Sequence, residues 1–226
     1  MKTLLSGGGV RRRTAVLAAN LIACAAFGVG PALGQGSPSS TPAPGAAPSP
    51  TAAPQKGTMD KPAGKKEVAV IKTNMGTIVF ELLPDVAPKM VDNFKELAKS
   101  GFYDGTTFHR VINGFMIQGG DPLSKDSDPN NDGTGDGPRK MPAEFTTKYS
   151  HARGMVSTAR SSDPNSGSCQ FFIMQADNKG LDNQYTIFGR VLEGMDVVDK
   201  ISLVPKGPRD RPLKNVVMEK VTIETR

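Results

Sequence analysis

The side chains best suited to chemistry lie in one stretch, Phe102 to Asp121, whose sequence is FYDGTTFHRVINGFMIQGGD. Its first half is rich in β-branched and aromatic residues, and Asn113-Gly114 is typical of a hairpin turn, so the stretch predicts two antiparallel strands. Because side chains alternate along a strand, Phe108, Arg110 and Ile112 are expected on one face. Arg110 therefore lies on an otherwise apolar face, where it either donates hydrogen bonds into a hollow or extends to water.

The returning strand adds an aromatic ring and an amide to this hollow. Alternation places Met116 and Gln118 on one of its faces, and Phe115 and Ile117 on the other. Gly119-Gly120 follows and allows the backbone to approach another group closely. A guanidinium, a phenyl ring and an amide can therefore border one hollow.

A strand further along the chain repeats this combination of an amide and a phenyl ring. In the run QFFIM, Gln170 and Phe172 share a face. The combined set of Arg, Phe, Met and Gln side chains contains no nucleophile paired with a base, no carboxylate pair and no metal-ligating cluster. These residues therefore do not predict hydrolysis or redox chemistry, and they imply no metal and no cofactor.

Three motifs resemble the signatures of the cyclophilins, the peptidyl-prolyl cis-trans isomerases. They are FHRVINGFMIQGGD at 108–121, NSGSCQFFI at 165–173, and Leu181-Asp182 followed by YTIFGR at 185–190. The motifs occur in the family's order, and the resemblance extends from about residue 68 to about residue 223. It implies a mainly β fold, the eight-stranded antiparallel cyclophilin-like β-barrel capped by two α-helices, and isomerase activity (EC 5.2.1.8) on proline-containing polypeptides.

The resemblance also implies roles for individual residues. Arg110 is the expected catalytic donor, and Gln118 and Gln170 are expected to orient Arg110 and the substrate carbonyl. Four residues are expected to form the pocket for the proline ring: Phe115, Met116, Phe172 and Leu181. The other expected contacts are Ala159 and the backbone of Arg160 in the groove for the preceding residues, Tyr185 at the pocket, and His109, packed behind its strand in a structural role.

Three positions depart from the family pattern. Many cyclophilins have a Trp before the Leu-Asp pair, whereas this chain has Gly180 and contains no Trp. This difference removes a contact for cyclosporin but leaves turnover plausible. Tyr185 stands where many relatives have a His and retains a ring and a hydroxyl, and Arg160 replaces a common Asn at a position expected to act through its backbone.

Two other functions compete with isomerisation. The first is a proline-peptide binding module or holdase with little turnover, against which the presence of Arg110 argues. The second is a calcium-responsive adhesion or structural domain, because residues 128–133 and Asp136 match the first part of an EF-hand loop. The twelfth position of that loop needs a bidentate Glu but is Arg139, so a solvated Asx-turn loop is expected instead.

The elements around the site follow from local patterns. Residues 68–73 and 77–82 are β-branched or alternating runs that predict a hairpin, and residues 87–100 carry apolar residues at helical spacing before Gly101. A short amphipathic helix is expected over 195–201 and a last strand over 215–224. Many strands, two helices and no βαβ repeat favour a closed or nearly closed antiparallel barrel.

The N-terminal segments predict export. Residues 1–34 have an Arg-rich start, an apolar run and Ala32-Leu33-Gly34 before Gln35, as in a cleaved signal peptide. Leu21-Ile22-Ala23-Cys24 instead resembles a lipobox, which would give a lipoprotein anchored at Cys24, and an uncleaved anchor remains a third alternative. Each alternative places the protein in the periplasm or cell envelope. Residues 35–66, called the linker below, are rich in Pro, Ala and Ser and are expected to be disordered.

Charge and cysteine content limit the possible partners. The expected isomerase domain, residues 67–226, carries 20 Lys and Arg against 21 Asp and Glu, so the basic excess lies before it and does not indicate nucleic-acid binding. Cys169 is the only cysteine in that domain, which excludes an internal disulfide. We expect a monomer, held at a membrane only if the N-terminus is anchored.

Overall fold

The computed structural model describes residues 66–226, and the expected signal segment and nearly all of the linker lie outside them. No helix in the described residues has the length and apolar character needed to cross a membrane. Two α-helices are present, α1 (Pro88–Lys99) and α2 (Met195–Ser202). The eight strands are β1 (Glu67–Thr73), β2 (Gly76–Leu82), β3 (Arg110–Ile112), β4 (Met116–Gly119), β5 (Met155–Thr158), β6 (Phe171–Met174), β7 (Ile187–Glu193) and β8 (Met218–Thr225).

The strands form one antiparallel sheet in the order β3-β4-β6-β5-β7-β2-β1-β8. Its two edges meet just before β3 and β8, where Thr107 pairs with Val217. The Phe108 N–H donates to the Val216 carbonyl at 2.9 Å, and the Met218 N–H donates to the Thr106 carbonyl at 2.8 Å. The sheet therefore curls into the predicted eight-stranded barrel, and the unpaired edges that an open sheet would expose are short.

Helix α1 is fixed at both ends by hydrogen bonds. Its N-terminus has no local side-chain cap, and the Glu144 carboxylate accepts from the backbone N–H groups of Lys89 and Met90 at 3.1 and 2.9 Å. At the C-terminus, Gly101 has a φ of 73°, and the Phe102 N–H donates to the Leu97 carbonyl at 3.0 Å. This arrangement is a Schellman motif, which confirms Gly101 as the residue that ends the helix.

The inner face of the barrel contains the main core. Phe94 of α1 is fully buried and lies 5.0 to 5.7 Å, between ring centroids, from four other rings. Those rings belong to Phe80, Tyr103, Phe171 and Phe188. Edge-to-face and offset pairs of this kind add stability beyond area burial alone. The aromatic cluster therefore ties α1 to strands from both sides of the sheet.

Strands β3, β4 and β6 are covered on both faces. Val111, Ile117 and Ile173 point into the main core, whereas Met116 and Phe172 belong to a second apolar cluster. Because neighbouring side chains alternate, this second cluster lies on the opposite face of the same strands. The functional site is built on that second face.

The prediction that Phe108 shares a face with Arg110 is wrong. Phe108 is fully buried in the main core with Val111, because regular strand geometry begins only at Arg110. The preceding residues pair with the segment before β8 instead. Phe115 also differs from the prediction, since it lies in the turn before β4 and packs with Met116 rather than with Ile117.

Replacing Phe94 with alanine is expected to destabilise the domain by about 3 to 5 kcal/mol, because the cavity would sit among four aromatic rings. Urea unfolding followed by circular dichroism measures this change. Phe145 is 42% exposed and provides the matched control, for which Phe145→Ala should change the free energy of unfolding by less than about 1 kcal/mol. Equal losses in the two variants would contradict the assignment of Phe94 to the core.

Candidate functional site

One row of side chains crosses four neighbouring strands. Arg110 on β3 is opposite Gln118 on β4, Gln118 is opposite Phe172 on β6, and Phe172 is opposite Ser157 on β5. Residues that face each other in an antiparallel register project from the same side of the sheet. The register therefore places the predicted donor, an amide and a phenyl ring in line.

An apolar floor lies beside this row. Met116, Ala159, Phe172 and Tyr185 belong to one buried cluster, and the partly buried Phe115 and Leu181 pack against it. The structure thus brings together all four residues predicted for the proline pocket, with Ala159 and Tyr185 beside them. The floor is hydrophobic and preformed, as expected for a site that binds a small apolar ring.

The Arg110 guanidinium borders this floor. It is partly buried, and it has no hydrogen bond or ion pair with any other described residue. A guanidinium carries five N–H donors and remains protonated at every physiological pH. A positive charge with unused donors beside an apolar floor is suited to bind an electron-rich atom of a ligand.

Two glutamines form a buried chain next to Arg110. The Gln118 Nε2 donates to Gln170 Oε1 at 3.0 Å, and Gln170 Nε2 donates to the carbonyls of Gly133 and Gly135 at 3.1 and 2.8 Å. Neither glutamine is hydrogen-bonded to Arg110 in the described part of the chain. Gln118 Oε1 is buried and has no hydrogen-bond partner among the described residues.

The loop that supplies the two glycine carbonyls is held from behind by Asp121. This carboxylate is fully buried and accepts from the N–H groups of Leu123 at 2.8 Å, Gly133, and Gly135 at 3.3 Å. Hydrogen bonds from several backbone N–H groups replace the water that the buried carboxylate has lost. The loop position, and with it the orientation of Gln170, is therefore set by a charge at the end of β4.

Arg160 and Tyr185 form the rim of the floor. The Arg160 guanidinium lies over the Tyr185 ring at 4.6 Å from its centroid, and the ring packs edge-on against Phe172 at 5.5 Å. Arg160 also donates to the carbonyls of Gln184 at 2.8 Å and Ser161 at 2.9 Å. Its side chain is thus used to hold two loops together.

His109 immediately precedes β3, and its structural role stays a prediction. It is buried near Gly133. Desolvation lowers the pKa of His109, and the nearby carboxylates of Asp121 and Asp132 oppose this shift without outweighing it. The ring is therefore neutral at physiological pH and adds no second positive charge beside Arg110.

Sequence reasoning missed a polar group beneath the floor. His151 is fully buried, stacks on Phe172 with a centroid distance of 6.2 Å, and meets the edge of Tyr185 at 6.4 Å. The carboxylate of Asp182 accepts from His151 Nδ1 at 2.9 Å, from the His151 backbone N–H at 2.8 Å, and from the Ser150 hydroxyl at 2.6 Å. Asp182 was part of a quoted motif, but its partners come from a distant segment that no local pattern identifies.

Burial determines the protonation state of this group. Desolvation lowers the pKa of His151, although its hydrogen bond to Asp182 acts in the opposite direction. Nε2 of His151 is buried and has no partner in the described residues, so a second proton there would be an unsatisfied donor. His151 is therefore neutral, with its proton on Nδ1, and serves as a flat support for Phe172.

The structure also contains an apolar groove that the sequence did not predict. It is a shallow depression that encloses only about 10 Å³, and Phe145 on its wall is 42% exposed. The groove shares Arg160 with the rim of the site but does not include Arg110. The other lining residues are Met90, Met141, Pro142, Thr158, Pro164, Gly167 and Thr186.

The Asp-rich loop forms local hydrogen bonds. The Asp128 carboxylate accepts from the Asn130 N–H at 2.9 Å, and Asp126 accepts from the Asn131 side chain at 2.8 Å. Within residues 66–226, no group of three or more His, Cys, Asp or Glu side chains is arranged to hold a metal ion. Cys169 is a buried free thiol, and burial raises its pKa to about 12, so it is a poor nucleophile.

Comparison with known proteins agrees with this geometry. The family model "Cyclophilin type peptidyl-prolyl cis-trans isomerase/CLD" matches residues 68–223. The chain is 44% identical to the Arabidopsis thaliana peptidyl-prolyl cis-trans isomerase CYP18-1 over 68% of its own length and 93% of that protein. It is 42% identical to peptidyl-prolyl cis-trans isomerase B of Streptomyces anulatus, over 70% and 97% of the two chains.

A solved structure shows the same fold. A cyclophilin-type peptidyl-prolyl cis-trans isomerase of Cryptosporidium parvum, crystallised in the presence of the dipeptide Ala-Pro, has a TM-score of 0.65 and 31% identity. The match covers 70% of this chain and 99% of that one. Barrel, site geometry and sequence matches agree, and the chain belongs to the cyclophilin-type peptidyl-prolyl cis-trans isomerases.

Proposed function

We propose that the chain accelerates rotation about X-Pro bonds in proline-containing polypeptides, with Arg110 as the group that stabilises the transition state. The observation that carries this assignment is the unpaired Arg110 guanidinium beside the floor of Phe115, Met116 and Phe172. The floor holds the proline ring, and the backbone around Ala159 holds the residues before it. The enzyme class follows from the family, whereas these residue roles are our proposal.

Isomerisation of an X-Pro bond requires little more than an apolar floor and a positioned hydrogen-bond donor. Rotation about an X-Pro amide is opposed by a barrier of about 18 to 20 kcal/mol, because resonance gives the C–N bond partial double-bond character. An N–H donor directed at the prolyl nitrogen localises its lone pair as the nitrogen becomes pyramidal, and this interaction is strongest in the twisted state. A roughly 10⁴-fold acceleration needs about 5.5 kcal/mol of such selective stabilisation.

The polar residues near Arg110 support this role by positioning. The chain from Gln118 through Gln170 to the Gly133 and Gly135 carbonyls fixes the two amides next to the guanidinium. Preorganised dipoles lower the barrier without having to reorient during the reaction.

We also propose that the natural substrates are exported proteins that fold outside the cytoplasm. The support is the Arg-rich and apolar segment at 1–34, followed by the Pro-rich linker, which together predict export and a spacer. In this proposal the domain acts as a folding catalyst in the periplasm or cell envelope, free or anchored through Cys24. Cleavage mapping by mass spectrometry of the purified protein tests the expected start at Gln35 against lipidation at Cys24.

The competing function, a proline-binding module with little turnover, predicts a site that binds without a donor to the rotating amide. Arg110 supplies that donor, and the glutamine chain beside it is complete. Gly180 and Tyr185 change the rim, but Arg160 packs on Tyr185 and rebuilds it. The geometry therefore favours turnover.

Replacing Arg110 with alanine should lower kcat/KM for a short X-Pro peptide by about 100- to 1000-fold, because the donor acts mainly in the transition state. The measurement is isomerisation of the peptide by NMR exchange, using the chain from Gln35 onward, which retains every described helix and strand. Arg226→Ala is the matched control, since Arg226 is an exposed arginine paired with Glu193 and Glu224. Full activity in Arg110→Ala would contradict the assigned role.

Activity and stability should depend differently on pH. Rotation requires no proton transfer and Arg110 remains charged, so kcat/KM is expected to be flat between about pH 6.5 and 8.5. The pKa values of His109 and His151, the chain's only histidines, are lowered by burial. Below about pH 6.5 the unfolded chain therefore takes up protons that the folded state excludes, and stability falls as the pH falls.

Urea unfolding between pH 7.5 and 5.5 measures this second effect. Each histidine whose pKa is lowered in the folded state should remove at most about 1.4 kcal/mol of stability by pH 5.5, and the two together at most about 3 kcal/mol. His109→Gln and His151→Gln should each reduce the pH slope, whatever their effect on stability at pH 7.5. An unchanged slope in either variant would show that the histidine is not buried neutral.

A further inference from the structure

We propose that Arg209 and Arg211 are positioning residues for the isomerisation, acting through the loop whose carbonyls hold Gln170. Both arginines lie in residues 205–212, called the strap below, which are placed between α2 and β8. This inference rests on the proposed function. It adds to that function two residues that lie outside both the row and the apolar floor of the site.

The strap makes a closed turn with an unfavourable backbone at its tip. Lys206 and Pro212 form an antiparallel bridge that closes the turn. At the tip, Arg209 and Asp210 have φ values of 60° and 59°. Left-handed backbone is unfavourable for residues that carry a Cβ atom, and it persists only where surrounding contacts hold it. The contacts of the strap therefore indicate what this conformation serves.

On one side, the strap is fixed to the strand that carries Arg110. β3 lies at an end of the sheet order, and the carbonyl of Val111 accepts from Lys206 Nζ at 3.1 Å. The same ammonium group donates to the Asp210 carboxylate at 2.8 Å. Lys206 therefore joins the tip of the strap to the residue that follows Arg110.

On its other side, the strap binds the Asp-rich loop, residues 126–136. The Arg209 guanidinium donates to the carbonyls of Pro129 at 2.7 Å and Asn130 at 3.2 Å. A planar guanidinium can span two adjacent acceptors, which a single ammonium point charge does less well. The left-handed backbone at Arg209 thus places a two-point contact on the loop.

Arg211 makes the second contact with this loop, an ion pair with Asp132. Its Nε donates to the Asp132 carboxylate, and the two side chains are 21% and 5% exposed. Without Arg211, this nearly buried carboxylate would lack its charged partner and would move toward water. Gly133 follows Asp132 directly, and its carbonyl accepts from Gln170 Nε2 at 3.1 Å. Such a movement would therefore displace an acceptor of Gln170.

The strap thus connects the two polar parts of the site. It holds β3, which carries Arg110, and it holds the loop that fixes the amides of Gln170 and Gln118. Asp121 supports the same loop from the end of β4. Fixing both parts to one short segment sets the guanidinium and the amides in place before a peptide binds, and preorganised dipoles lower a barrier more effectively than mobile ones.

The test compares Arg211→Ala with the parent in the full chain. Because Asp121 still supports the loop, kcat/KM for a short X-Pro peptide should fall by about 10-fold, which is less than in Arg110→Ala. The side-chain amide protons of Gln170 should exchange with solvent at least about 10-fold faster, since their acceptor carbonyls are displaced. NMR measures both quantities on one sample.

Arg190→Ala is the matched control. Arg190 is paired with Glu81, whose side chain is 4% exposed, so this variant also removes an arginine from a buried carboxylate. It should leave Gln170 exchange and kcat/KM within about twofold of the parent. Arg211→Lys keeps a positive charge opposite Asp132 and should bring both values back to within about threefold of the parent.

A second variant keeps the inference testable if Arg211→Ala does not fold. Glycine adopts left-handed backbone readily, so Arg209→Gly relieves the turn while it removes the contacts to Pro129 and Asn130. This variant should fold. Its Gln170 amide protons should exchange faster than in the parent, and its kcat/KM should be lower.

The outcomes separate this inference from the function beneath it. Parent values of Gln170 exchange and kcat/KM in Arg211→Ala or, where that variant does not fold, in Arg209→Gly would overturn the inference alone. Faster exchange with an unchanged kcat/KM would also overturn it, because the strap would then only stabilise the loop. A parent chain without turnover that depends on Arg110 would overturn the proposed function, and this inference with it.

Discussion

The antiparallel register of β3, β4 and β6 is the constraint on which the site depends. Because Arg110, Gln118 and Phe172 occupy opposing positions, a shift of one residue in any of these strands would move its site residue into the main core. Such a shift would also expose Val111, Ile117 or Ile173, which are fully buried. Burial of these three residues thus fixes the strand register and, with it, the positions of the site residues on the opposite face.

Two carboxylates fix the loops around the site through hydrogen bonds to residues that are distant in the sequence. Asp121 holds the loop whose carbonyls receive Gln170, and Asp182 holds His151 flat beneath Phe172. Both carboxylates join backbone N–H groups from segments with no regular secondary structure. The site therefore combines the sheet with loops held by one buried and one partly buried carboxylate, and the Arg110 guanidinium forms no hydrogen bond or ion pair with any described residue.

Local chemistry explains which parts of this structure the sequence predicted. The hairpin at Asn113-Gly114, the end of α1 at Gly101 and the last strand each depend on neighbouring residues, and each was placed within a few residues. The cap of α1 by Glu144 and the His151–Asp182 pair depend on contacts across the fold, and no periodic pattern encodes them. Phe108 was misplaced because the pairing partner of its segment, near Val217, is distant in sequence. The resemblance brought the site residues together as a set, but not the hydrogen bonds between them.

At the rim of the site, the chain departs from the family pattern at residues that lie outside the row from Arg110 to Phe172. Gly180 removes a side chain at the edge of the floor, and Arg160 and Tyr185 replace two others, yet these two pack on each other at 4.6 Å. Their contact uses the planar guanidinium and the ring face, and Arg160 Nε and Nη1 donate to the carbonyls of Gln184, Ser161 and Ser162. These contacts fix the rim through residues that are not the proposed hydrogen-bond donor to the prolyl nitrogen. In the function proposed here, barrier lowering depends on the row from Arg110 to Phe172, so substitutions at the rim are expected to alter which peptides enter, while the row sets the rate at which a bound X-Pro bond turns.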